Sequence, residues 1–271
     1  MFGYVPPVPR MPNAGVILAA TPFHGRGVAR EIVANSTSTR LRRKRRGVII
    51  DLDDTLYPRD RFVRSGLAAV AKHASEKYGI AADAAYGVMT RSLAIDGNGS
   101  ELQALCRRFD LPEANVRELL DVFRSHTPSL FLSQEAVDTL HALRADGWAL
   151  AILTNGLPSV QFRKIAALGI TPLVDEVIYA EEHAHGGKPS AAPFQAALHA
   201  LELTAAQCVC VGDDAARDVR GARNVGMATI RVVRPGAQVA LADEADLVID
   251  SVKHIPGAAA LLLTRVTADV A

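Results

Sequence analysis

From Gly47 onward the chain repeats one phrase: a short apolar run, a polar turn, then a stretch with helical spacing. The runs are Val48-Ile49-Ile50, Trp148 to Leu153, Val177-Ile178-Tyr179, Cys208 to Val211, Ala228 to Val233 and Leu247 to Ile249. Helical segments at Gln134 to Ala145, Val160 to Leu168, Pro193 to Leu201 and Asp214 to Asn224 fall between them. A strand apolar on both sides must be covered on both faces, as in a parallel sheet with crossover helices. The fold class expected is α/β, with a doubly wound parallel-sheet (Rossmann-like) core.

One stretch breaks the alternation. Residues 62–126 carry no strand-like run. Their apolar residues recur at helical spacing instead: Phe62, Leu67, Val70, Ala71 and Ala74, then Leu102, Leu105 and Phe109, then Val116, Leu119, Leu120 and Phe123. Gly79 and Asp96-Gly97-Asn98-Gly99-Ser100 punctuate them. An all-helical insert after the first strand is expected, giving a core over 47–57 and 128–271 and an insert over 58–127.

Residues 1–46 have a different texture. They hold nine of the 30 basic side chains and one of the 29 acids, so the remainder carries 21 and 28 and is acidic. With prolines at 6, 7, 9 and 12 and six basic residues among 40–46, this segment is read as a flexible extension. Its basic block is the only hint of nucleic-acid contact, and nucleic acid is not expected as the partner of the folded part. The run Ala14 to Ala20 lacks a basic n-region and is not read as a signal peptide, and no apolar run approaches the ~20 residues of a membrane helix. Three cysteines, Cys106, Cys208 and Cys210, make no disulfide framework and point to a reducing, cytoplasmic setting. Oligomeric state is not readable.

In open parallel sheets the reactive groups lie beyond the carboxyl ends of the strands. Four such places carry them: Asp51-Leu52-Asp53-Asp54-Thr55, Thr154-Asn155-Gly156, Gly186-Gly187-Lys188-Pro189, and Gly212-Asp213-Asp214 with Asp218 beyond. Each alone is an ordinary turn, loop or helix cap. Together, and in this order, they gather carboxylates that would repel unless a hard cation joined them. Lys188 and Thr154 suit phosphoryl oxygens, and backbone N–H groups around Asn155 and Gly156 complete an anion cradle. The chemistry indicated is phosphoryl transfer.

On these four motifs, over about residues 47 to 251, the sequence resembles the haloacid dehalogenase (HAD) superfamily of aspartate-nucleophile hydrolases, and the helical insert resembles that family's type 1 cap. The resemblance implies Asp51 as nucleophile and Asp53 as general acid/base. It places Thr154, Asn155 and Lys188 on the phosphoryl group. It implies Mg²⁺ bound by Asp51, the Asp53 carbonyl and Asp213, with Asp218 orienting the metal's waters or Lys188. A second acid two residues after the nucleophile can protonate a leaving oxygen; dehalogenases of the superfamily lack it, so Asp53 favours a phosphatase of a small phosphorylated metabolite. A phosphomutase uses the same two acids. Two further readings, a receiver domain and an interaction protein on a retired phosphatase scaffold, fit the 103-residue gap between Asp51 and Thr154 and the complete motifs less well.

Substrate choice is expected in the cap around Arg91 to Ser100, with Arg91 and Asn98 as determinants, because the motif loops see only the phosphoryl group. Arg59, Arg61 and Arg64 are read as a solvated face or as contacts to an anionic substrate tail. His183 and His185 are read as exposed, and Cys208 and Cys210 as buried, inert thiols.

Overall fold

A computed structural model describes residues 46–233 and 244–268. Readings of the N-terminal extension up to residue 45 lie outside them. Strand β1 (Arg46–Ile50) is followed by four helices, α1 (Arg59–Tyr78), α2 (Ala82–Asp96), α3 (Glu101–Arg108) and α4 (Asn115–Ser125). The alternating part is α5 (Gln134–Ala145), β2 (Trp148–Thr154), α6 (Pro158–Leu168), β3 (Glu176–Tyr179), α7 (Ala191–Ala200), β4 (Cys208–Gly212), α8 (Gly221–Arg223), β5 (Ala228–Val232), β6 (Leu247–Ile249) and α9 (Ile255–Ala268). The six strands form one sheet in the order β3-β2-β1-β4-β5-β6, and every neighbouring pair is parallel.

β1 lies in the middle of the sheet, which explains its wholly apolar run. Val48 and Ile50 pack on one face with Leu140 of α5, Ile165 of α6 and Ile255 of α9. Ile49 points to the other face, against Phe194 and Ala197 of α7. All three are fully buried, each contributing about 2 kcal/mol of apolar burial. Cys208 and Cys210 share the Ile49 face as buried free thiols.

The insert has its own core of Leu67, Val70, Met89, Leu105 and Leu119. Pro58 precedes α1, and Gly79 ends it in the left-handed region at φ 68°, where a glycine carries no Cβ penalty. α1 meets α4 closely enough that the Phe123 ring lies against Gly66, leaving no room for a Cβ there.

Three readings change. β1 starts at Arg46, so the boundary drawn after residue 46 falls inside a strand; Arg46 pairs with Trp148 and its guanidinium stacks 4.1 Å over that ring. The helix expected from Asp214 to Asn224 is a wide π turn, Ala215–Arg220, followed by the single turn of α8. α9 was not anticipated; it buries Ile255, Ala259 and Leu262 at i, i+4 and i+7 against the sheet. No helix of the described residues is long and apolar enough to cross a membrane.

Candidate active site

Strand order turns around between β1 and β4, since the chain runs outward through β2 to β3 and then crosses back. Loops beyond two such strands diverge and leave a crevice. Asp51 follows β1 and Asp213 follows β4, so both enter it. The Asp51 N–H donates to the Val211 carbonyl at 2.8 Å, extending the ladder one residue past β1.

Lys188, 3% exposed, joins the strand ends. Its ammonium donates to Asp51 Oδ1 at 2.6 Å, to Asp218 Oδ1 at 2.6 Å and to the Leu153 carbonyl at 2.8 Å. Asp218 is 2% exposed and accepts the Asp214 N–H at 3.1 Å; its side chain occupies the space a Cβ at position 212 would take, so Gly212 is required for the approach. Oxygens of Asp51, Asp213 and Asp218 lie within 4.8 Å of one another, the one such grouping among the described residues. Burial pushes the Asp51 carboxyl up to about 8 against the pull of Lys188, and Asp218 adds repulsion. Asp213 is pushed up to about 6 by burial, then by Asp218 and Asp54. Burial works against the Lys188 charge, but Asp51 and Asp218 outweigh it and hold the ammonium well above its usual range. One lysine therefore faces three carboxylates. An all-oxygen donor set with surplus negative charge fits a hard divalent cation, which Asp51, Asp213 and Asp218 would hold. His183 and His185 are exposed and outside it.

The Asp53 side chain turns away from that cluster. It accepts from Tyr57 Oη at 2.5 Å, from Lys164 Nζ at 2.7 and 2.8 Å, and from Gln161 Nε2 at 3.0 Å. Burial favours its neutral form, but Lys164, Tyr57 and Gln161 outweigh it and hold the carboxyl below the ordinary range. Asp54 allows this by adopting φ 60°, with its N–H on the Tyr57 carbonyl at 2.9 Å; aspartate tolerates that region better than most residues. The other Gln161 amide hydrogen goes to Thr154 Oγ1, leaving the hydroxyl hydrogen of the fully buried Thr154 to donate elsewhere.

Sequence reasoning missed Gln161 and Lys164, which are 1% and 4% exposed. With Ile165 and Leu168 they form the i, i+3, i+4, i+7 face of α6 that packs inward. Two polar residues in phase with the apolar stripe, just after Thr154, were the available signal. Lys164 also lies 4.4 Å under the Phe62 ring of the insert.

Other expected residues are placed differently. Asn155 lines the cavity, yet its side chain holds the lysine loop: Oδ1 accepts the Lys188 N–H at 2.9 Å, and Nδ2 donates to the carbonyls of Lys188 and Gly186 at 3.0 and 3.3 Å. Gly187, at φ 65°, presses on that amide, and a Cβ there would lie 2.6 Å from Asn155 Oδ1. A cavity of about 810 Å³ opens above the strand ends, roofed by α1 and α4. Arg59 lines it; Arg91 and Asn98 do not, because the insert's share of the lining comes from α1 and α4 alone, and both residues are exposed.

Residues 46–226 match a family model described as haloacid dehalogenase-like hydrolase. The glyceraldehyde 3-phosphate phosphatase of Methanocaldococcus jannaschii is 29% identical over 197 residues, which cover 70% of this chain and 85% of the relative. The ribulose-1,5-bisphosphate 5-phosphatase of Halopiger xanaduensis is 31% identical over 198 residues, covering 68% and 82%. Among solved structures, a HAD phosphatase from Thermococcus onnurineus shares the fold at a TM-score of 0.54 and 24% identity, covering 79% of this chain and 97% of its own.

Proposed function

The chain belongs to the haloacid dehalogenase-like hydrolases and is a hydrolase of phosphomonoesters, and from that premise we propose that it is a Mg²⁺-dependent phosphatase of small metabolites that works through an aspartyl-phosphate on Asp51. The observation that carries the reading is the Lys188 bridge between Asp51 and Asp218, with Asp213 beside them. Mg²⁺ at these oxygens would offset their mutual repulsion and neutralise charge on the phosphoryl group.

Asp51 attacks phosphorus, and the ester oxygen leaves with a proton from Asp53. Water then attacks the acyl phosphate, gives its proton to Asp53, and inorganic phosphate departs with Asp51 restored. Lys188 and the Thr154 hydroxyl contact phosphoryl oxygens, while Asn155 keeps the lysine loop in place. Asp53 stands ionised on Lys164 in the ligand-free protein; the proton it donates is taken up from solvent once a substrate displaces part of that grip. The helical insert acts as the cap, and the same reading places the enzyme in the cytoplasm.

Asp51→Asn should abolish turnover of a small aryl phosphate while leaving the circular dichroism spectrum unchanged. The parent, quenched during turnover, should carry one phosphoryl group on the peptide containing Asp51. Appreciable activity in the variant would sink the assignment, and activity in excess chelator would exclude the metal.

A further inference from the structure

We propose that the leaving group of the substrate carries a second anionic group, a carboxylate or a phosphate, held by Arg59 and Arg124 under the helical insert. The inference rests on the phosphatase reading and names the substrate class of that site. A cavity of about 810 Å³ has room for far more than a phosphoryl group, and its two sides differ in charge. Every acidic side chain in the lining comes from the α/β core. The insert supplies no acid, only Arg59, Phe62 and Val63 from α1 and Leu120, Phe123 and Arg124 from α4.

On each helix the three residues follow helical spacing, so one face presents one arginine and two apolar side chains. Phe62 and Phe123 meet edge to face at 5.6 Å. The apolar groups suit a short carbon frame and lower the local polarity in which the arginines act.

The other arginines nearby are engaged. Arg61 stacks 4.3 Å over Phe131, Arg64 pairs with Asp60 at 3.5 Å, and Arg217 with Asp214 at 3.4 Å. Among the described residues neither the Arg59 nor the Arg124 guanidinium has an ion-pair partner. Arg59 moreover sits in the first turn of α1, where the helix dipole opposes a cation. Its charge is unsupported by its own helix, which an anionic ligand would remedy. A guanidinium fork meets carboxylate or phosphate with two parallel bonds and gains little from a hydroxyl.

The test compares three substrates on one three-carbon frame with the full chain and Mg²⁺: glycerol 3-phosphate, 3-phosphoglycerate and glycerol 1,3-bisphosphate. We expect kcat/KM for at least one dianionic-frame compound to exceed that for glycerol 3-phosphate tenfold or more, and the compound preferred identifies carboxylate or phosphate. Arg59→Gln and Arg124→Gln should each shrink that ratio, the double variant should bring it near one, and Arg59→Lys should keep part of it. A parent ratio near one, or a ratio unmoved in the double variant, overturns the proposal. Equilibrium binding of the same three compounds to Asp51→Asn reads the subsite without turnover. If no phosphomonoester is hydrolysed yet this binding preference holds, the phosphatase reading falls and the subsite stands. If an aryl phosphate is hydrolysed and neither measurement shows a preference, the subsite falls and the phosphatase reading stands.

Discussion

At the strand ends Lys188 is 3% exposed and holds two carboxylates; on the insert above, Arg59 and Arg124 are exposed and hold none. The same kind of charge is used in opposite ways. A buried ammonium must be matched within its own shell, so the floor of the cavity is over-determined by protein–protein hydrogen bonds and fixes one chemistry. An exposed guanidinium is already solvated, so the roof can leave its partner to be supplied from outside. The floor sets the reaction; the roof is free to select.

The strongest way to break that contrast is to remove the floor's cation. Lys188→Met leaves Asp51 and Asp218 facing each other without it, and removing one member of a buried ion pair costs about 3–5 kcal/mol. Urea unfolding should show a loss of that order, and turnover should fall at least about 10³-fold. Mg²⁺ should raise the unfolding midpoint of the variant more than that of the parent, because the site has become more negative. An equal Mg²⁺ effect in both would show that Lys188 is not part of the cation site.

Lys164→Met strikes the second buried lysine and should lower turnover about 10²-fold, the usual scale of a misplaced general acid/base. Lys164 holds Asp53 below its ordinary value of 3.8. A depressed carboxyl stabilises the fold above its unfolded pKa, and that stabilisation is lost as pH falls through its folded one. The stability gap between parent and variant should therefore be widest near neutrality and narrow below about pH 4. A gap independent of pH would sever the link to Asp53.

How far the molecule could be read in advance follows the same division. Val48-Ile49-Ile50 and Cys208 to Val211 announced buried central strands, and the acids after them announced the floor, because strand ends and reactive groups are adjacent in the chain. Lys164 and Gln161 escaped because their roles depend on which face of α6 packs inward, and an apolar stripe draws the eye to Ile165 and Leu168 instead. Among Arg59, Arg61 and Arg64, one helical turn of α1 decides which lines the cavity, and sequence alone fixes no such rotation. Arg91 and Asn98 were expected in the cavity because a glycine-rich turn can approach a ligand, but α1 and α4 are the helices that face the strand ends.

Removing the metal sharpens the contrast more gently. With their folded pKa values raised to about 8 and about 6, Asp51 and Asp213 bind more protons folded than unfolded. Their contribution is fully present below pH 3.8 and is lost as pH rises through those values. In chelator, stability should decline from pH 4 to 8, most steeply between about 4 and 6, where both carboxyls hold a proton only in the folded state, and about half as steeply from 6 to 8, where Asp51 alone does; excess Mg²⁺ should flatten that slope. A flat chelated profile would show that the two carboxyls are not shifted. Arg64→Ala should do least, changing stability by under about 0.5 kcal/mol, since its pair with Asp60 is exposed. It should also leave the substrate ratio where the parent has it.

The central position of β1 has a kinetic side. Its partners are remote in sequence: Arg46 pairs with Trp148 on β2, and Gly47 with Cys208 on β4. Closing loops of that length comes late, after local helices have formed. Asp51 and Asp213 therefore become neighbours only when the β1–β4 pairing exists, whereas α1 and α4 can assemble within one contiguous segment. Recovery of catalysis during refolding should lag behind recovery of helical signal, and a chain arrested before β4 docks would carry a formed insert and no active centre. Enzymatic activity in this molecule is thus a clock for the pairing in its sheet that spans the most chain, β1 with β4.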